Sequence, residues 1–169
     1  MTPAEMVPGL ELRPAWRLDD ARIEADAIAF WTRLGILPPG VTPVQRAKEL
    51  VAAAYQGDEI VGVITATLER VEQVRTRLAM TRCAVDPAHR RTHVATALTL
   101  QARALLEAWS REHPDEQLGG LGARVGGEQL AERRTQPYWP QTRFILAGYL
   151  PDGRQLRISW FEDFRLEYY

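Results

Sequence analysis

Arg90 and Arg91 stand at the junction of a strand-like run and a helical one, the stretch of this sequence best equipped for chemistry. Leu78 to Val85 reads as a strand that ends at Asp86-Pro87, where proline removes a backbone donor and stops sheet pairing. Beyond the arginines, Val94, Ala97, Leu98, Leu105 and Trp109 fall on one face of a helix, with Thr92 placed to serve as its N-cap. Backbone N–H groups, the positive end of a helix dipole and two guanidinium groups therefore converge on one turn, which is the chemistry of an anion site.

Other reactive side chains carry less. His89 and His93 have the four-residue spacing of a helical metal pair, but Arg90 and Arg91 would repel a cation, and no HExxH pattern or cysteine cluster supplies further ligands, so no metal is expected. Cys83 falls in what reads as a buried strand, where a thiol is inert packing. Ser110 and Ser159 have no hydrolase motif around them. Glu69 and Glu72 near the adjacent hairpin, Asp86 at the strand end and Glu128 at the start of the short helix each read first as a solvated surface carboxylate, and none is assigned as a general base.

The junction resembles the GNAT superfamily of N-acetyltransferases, whose signature runs Gln or Arg, two variable residues, Gly, one variable residue, then Gly or Ala. Arg90, His93 and Ala95 occupy those three places, flanked by Val85-Asp86-Pro87 and Thr96-Ala97-Leu98. His93 departs from the pattern by standing where the family has glycine. The resemblance implies a pantetheine arm lying along Cys83, Ala84 and Val85. It puts the pyrophosphate on the amides of Arg91, Thr92, His93, Val94, Ala95 and Thr96, with Arg90 at the basic position of the loop. It further implies Tyr138 as general acid toward the departing thiolate, and an acceptor pocket drawing on Trp31, Leu34, the loop from Gly35 to Pro43, Trp139 and Trp160. The activity implied is transfer of an acetyl group from acetyl-CoA to a small-molecule or peptide amine by direct attack. Two rivals stay open: a catalytically silent module that binds coenzyme A or a protein on the same fold, and a partner protein without any coenzyme A site.

The rest of the sequence bounds these readings. With 169 residues, 46% of them hydrophobic, the chain suits one domain with one core, preceded by a loose leader over residues 1–8. A net charge of −1 offers no general attraction to nucleic acid or to an anionic membrane. A lone cysteine, no secretory-type apolar start and no bilayer-length apolar run lead to the expectation of a cytoplasmic protein, with a homodimer allowed.

The pattern predicts a strand over Leu10 to Trp16, then a helix from Asp19-Asp20 to Leu34 stopped by Gly35, then a second helix from Thr42-Pro43 through Leu50 to Ala54. Strands follow over 60–68 and up to Val85, then the helix after the arginines, a strand over Leu118 to Val125 and a short helix over Gly127 to Arg134. A closing antiparallel hairpin is read over Phe144 to Leu150 and Gln155 to Tyr169. This order is similar to the GNAT layout: an α/β fold with a mixed, mostly antiparallel sheet and helices on both faces.

Overall fold

A computed structural model describes residues 1–127 and 135–166. Residues 128–134 of the short helix read over 127–134, the carboxylate of Glu128 and the last three residues of the closing hairpin therefore lie outside the described residues. The elements are β1 (Leu10–Pro14), α1 (Ala21–Leu34), α2 (Pro43–Ala47), β2 (Leu50–Gln56), β3 (Glu59–Val71) and β4 (Thr76–Val85), followed by α3 (Val94–Glu112), β5 (Leu118–Val125), β6 (Tyr138–Trp139), β7 (Phe144–Tyr149) and β8 (Gln155–Trp160). The strands form one eight-stranded sheet in the order β1-β2-β3-β4-β5-β8-β7-β6. It is mixed: β4 pairs β5 in parallel, whereas β1 with β2, β2 with β3, β5 with β8, β7 with β8 and β6 with β7 run antiparallel. No described helix is long and apolar enough to cross a membrane.

Contacts divide the chain into two compact units, residues 1–66 with 82–106, and residues 67–81 with 107–169. The first has a core built from Ile23, Ala27, Phe30 and Trp31 of α1 against Leu50, Ala53, Tyr55, Ile60 and Val63 of the strands. Helix α1 begins where Asp20 accepts the N–H groups of Arg22 and Ile23, and it stops at Gly35, left-handed at φ 61° with its N–H on the Trp31 carbonyl. The second unit has its own cluster of Val71, Leu78, Met80, Leu156 and Ile158.

One expected helix is mostly strand. Helix α2 has the expected Thr42 cap and Pro43 start but ends at Ala47, and Leu50–Gln56 is β2, hydrogen-bonded on both sides. The alanine run favours a helix in isolation, but burial decides here: Leu50 is 2% exposed, and Val51 through Tyr55 are 0% exposed. Small side chains suit a strand covered on both faces. The closing strand is also shorter than expected, since β8 ends at Trp160.

The feature that sets α3 against the sheet is a missing side chain. A Cβ at Gly62 of β3 would lie 3.0 Å from Leu98 Cδ1, 3.2 Å from Val94 Cγ1 and 3.2 Å from the Ala84 carbonyl oxygen. The first turns of α3 thus rest directly on β3, with Val94 and Leu98 buried. Gly62→Val is expected to lower stability by about 1–3 kcal/mol through overpacking, measurable by urea unfolding. A variant as stable as the parent would mean that α3 is not held at this distance.

Candidate functional site

The last four residues of β4 differ from the rest of the strand. Leu78, Ala79 and Met80 are buried, whereas Arg82 and Cys83 are exposed and Ala84 and Val85 half-buried. Cys83 is thus exposed rather than packed in a buried strand as expected. The error came from extending the apolar character of Leu78–Met80 to the end of the element.

The strand is closed off by Asp86, which is 8% exposed and forms bonds in four directions. Its N–H donates to the Val61 carbonyl of β3 at 2.8 Å, and its own carbonyl accepts the His89 N–H at 2.8 Å. One carboxylate oxygen accepts the Ala88 N–H at 2.9 Å, and the other accepts from Arg33 of α1 at 2.7 Å. The Ala88 bond first, and the Arg33 bond with it, hold this carboxyl below the ordinary carboxylate range. Asp86 is therefore a cap for the turn and an anchor for α1, and an unsuitable proton acceptor.

Beyond Asp86 comes one short 3-10 turn over Pro87–His89, and then Arg91 and His93 both take left-handed backbone angles, φ 64° and 67°. His93 is the residue standing at the family's glycine position, and its conformation is the one glycine adopts without cost. Histidine is among the side chains enriched there, which explains how the turn survives the replacement. Thr92 does not cap α3: its hydroxyl donates back to the His89 carbonyl. The first helical bond instead runs from the Ala97 N–H to the His93 carbonyl at 2.9 Å. The N–H groups of Val94, Ala95 and Thr96 belong to the first turn of α3, where a helix offers them no acceptor. Arg90, Arg91, Thr92, His93 and Ala95 are exposed around this turn, while Val94 is buried beneath it. His89 ends the 3-10 turn and left-handed His93 precedes α3, so the two do not share a helix and the helical spacing that suggested a metal pair does not apply.

Of the residues given to the acceptor, Trp31 is 3% exposed and belongs to the first core, with half-buried Leu34 packed against it. In the second unit, Tyr138 and Trp139 form a two-residue strand on β7, with Tyr138 48% exposed. Trp139 receives the guanidinium of the fully buried Arg157 at 4.0 Å from its ring centre, and Trp160 stacks on Phe164. Both rings thus have packing partners of their own. Glu69 is ion-paired with Arg124 at 2.8 Å and Glu72 with Arg70 at 3.0 Å.

Sequence reasoning missed Arg33, whose bond to Asp86 spans 53 positions and leaves no local signal. It also missed a charged group beside β4, formed by Arg46, Glu49 and Arg82.

Residues 39–116, from the approach to α2 through the whole of α3, match the model of the acetyltransferase (GNAT) family. The match is to this segment, less than half of the chain. No curated protein sequence matches the chain significantly. Among solved structures, a GNAT-family acetyltransferase from Streptococcus pneumoniae aligns with a TM-score of 0.58 at 14% identity, covering 88% of this chain and 96% of the other. Arabidopsis thaliana Naa50, solved with the bisubstrate analogue CoA-Ac-MVNAL, aligns with a TM-score of 0.56 at 14% identity over 90% of this chain and 99% of its own. A GCN5-related N-acetyltransferase from Kribbella flavida gives 0.55 at 16% identity, over 90% and 98%. At these identities the likeness is one of fold, and it extends beyond residues 39–116 to most of the chain.

Asp86→Ala is expected to cost about 1 kcal/mol, as loss of a capping carboxylate does. Because the folded pKa is depressed, this stabilisation is complete above the ordinary carboxylate pKa and is lost as the pH falls through the folded value. Urea unfolding at neutral and strongly acidic pH should therefore show the gap between parent and variant closing in acid. A gap that stays constant would contradict the role given to Asp86.

Proposed function

We propose that the chain is an acetyl-CoA-dependent N-acetyltransferase acting on a small-molecule or peptide amine. The observation that carries this reading is the turn after β4. Left-handed Arg91 and His93 lead from an exposed strand end straight into the first turn of α3, whose amides a helix leaves without an internal acceptor. An anion seated there meets backbone N–H donors and the helix dipole, with Arg90 and Arg91 adding positive charge around it. That suits the pyrophosphate of coenzyme A, leaving the main chain of Cys83, Ala84 and Val85 for the pantetheine arm. Naa50, similar in fold, was solved with a coenzyme A-containing bisubstrate analogue.

In the reaction, the neutral amine nitrogen attacks the thioester carbonyl carbon, the C–S bond breaks and the thiolate leaves with a proton. Tyr138, a half-exposed residue, is the proposed donor of that proton. Asp86, Glu69 and Glu72 are held in ion pairs, so the amine's own proton passes to water in this reading. An alkylammonium with a reference pKa of about 10.4 then makes transfer faster as the pH rises. A cytoplasmic setting without nucleic acid or membrane partners goes with the proposal.

The test is a thermal melt with acetyl-CoA together with an assay of acetyl transfer across an amine panel. Saturating acetyl-CoA at about a hundred times its Kd should add about 2.7 kcal/mol of stability. With a competent amine, Tyr138→Phe should lower kcat by about tenfold or more while donor affinity stays unchanged. A melt unmoved by acetyl-CoA overturns the donor site. Stabilisation without transfer to any amine supports the silent coenzyme A-binding reading instead.

A further inference from the structure

The buried charges beside the exposed end of β4 are unequal. Arg46, in the last turn of α2, has a side chain only 10% exposed and lies 3.3 Å from Glu49 Oε2, the same oxygen that Arg82 of β4 approaches at 3.9 Å. One carboxylate thus faces two guanidinium groups, leaving an excess positive charge. The Arg46 Nε–H and the Glu49 Oε2 are both buried and neither makes a hydrogen bond among the described residues, so their proximity is that of ions rather than of a bonded pair. Burial foremost, and then the neighbouring charge of Arg82, pull the Arg46 pKa below its ordinary value despite Glu49. A buried cation in this position is costly unless a second anion completes the group. Arg82 is 44% exposed on its side chain and directly precedes Cys83, so the group is open to solvent on the β4 side.

We propose that Arg46 and Arg82 form a carboxylate-binding subsite for the acceptor, making its substrate class amines that also carry a carboxylate, such as amino acids or peptides with an acidic group. The inference rests on the acetyltransferase reading, which lays the thioester arm along the residues that follow Arg82. The planar guanidinium fork matches a carboxylate with two parallel hydrogen bonds. Arg82 presents this fork from a fixed strand position, since its carbonyl accepts the Thr65 hydroxyl. Arg46 supplies charge from beneath, and Glu49 keeps the two cations together when the acceptor is absent.

The experiment measures acetyl transfer to matched acceptors: an amino acid, its primary amide and the corresponding aminophosphonate, with parent, Arg82→Gln and Arg46→Gln enzymes. The expected result is a kcat/KM at least about tenfold higher for the acid than for the amide. In Arg82→Gln that ratio should fall toward one, mainly through a raised KM for the acid. Arg82→Lys should recover part of it, because charge returns without the fork. Arg46→Gln should show the same loss of selectivity; should it fail to fold, as melts would reveal, the exposed Arg82 variants decide alone. Equal use of acid and amide by the parent, preference for the phosphonate, or a preference for the acid that survives Arg82→Gln each overturns the subsite. Absence of transfer to any of the three acceptors overturns it as well. If acetyl-CoA still stabilises the parent in that case, the donor site stands while the subsite falls.

Discussion

The first unit depends on the bonding of Asp86. Its N–H fixes the end of β4 to β3, its carbonyl and one carboxylate oxygen close the turn that follows, and the other carboxylate oxygen reaches Arg33 on α1. A strand, a turn and a helix distant in sequence are thereby tied at one point. The chain leaves that point with its direction set, and only then do Arg91 and His93 swing it through left-handed angles into α3. The same carboxylate cannot also abstract a proton, because the bonds that order the turn hold it in its charged, hydrogen-bonded form. Asp86 thus builds the turn, and in the proposed function the amides beyond it are the groups that meet the ligand.

His93 places strain next to the amides a ligand would use. A non-glycine residue in the left-handed region costs of the order of 1–2 kcal/mol, and two such residues lie within three positions here. The cost is offset by the contacts that force the path, namely Asp86 before the turn and the close seating of Val94 and Leu98 on Gly62 after it. Because His93 is exposed, its ring stands outside the core.

Much of this was legible in the sequence because it is local. The Asp86-Pro87 stop, the cap of α1 at Asp20 and its end at Gly35, and the spacing of Arg90, His93 and Ala95 depend on residues a few positions apart. What was not legible depends on partners far along the chain. The alanine run of β2 reads as helix until it is buried between β1 and β3, and Cys83 reads as core until the end of β4 is found exposed. Thr92 has the right chemistry for an N-cap, but the left-handed turn shifts the start of α3 to Val94 and turns the hydroxyl back to His89. Charge groups assembled across distance, Arg33 with Asp86 and Arg46 with Glu49 and Arg82, emerge only once strands and helices are placed.

The central claim is that the backbone amides after Arg91 hold the phosphates of the donor. Calorimetric titration of the intact protein with coenzyme A and with pantetheine, which keeps the thiol arm but lacks every phosphate, addresses it most directly. Two or more charge-assisted hydrogen bonds, each worth about 1.5–3 kcal/mol, predict that coenzyme A binds at least about a hundredfold more tightly. Equal affinities for the two ligands, or no binding of either, would contradict the account.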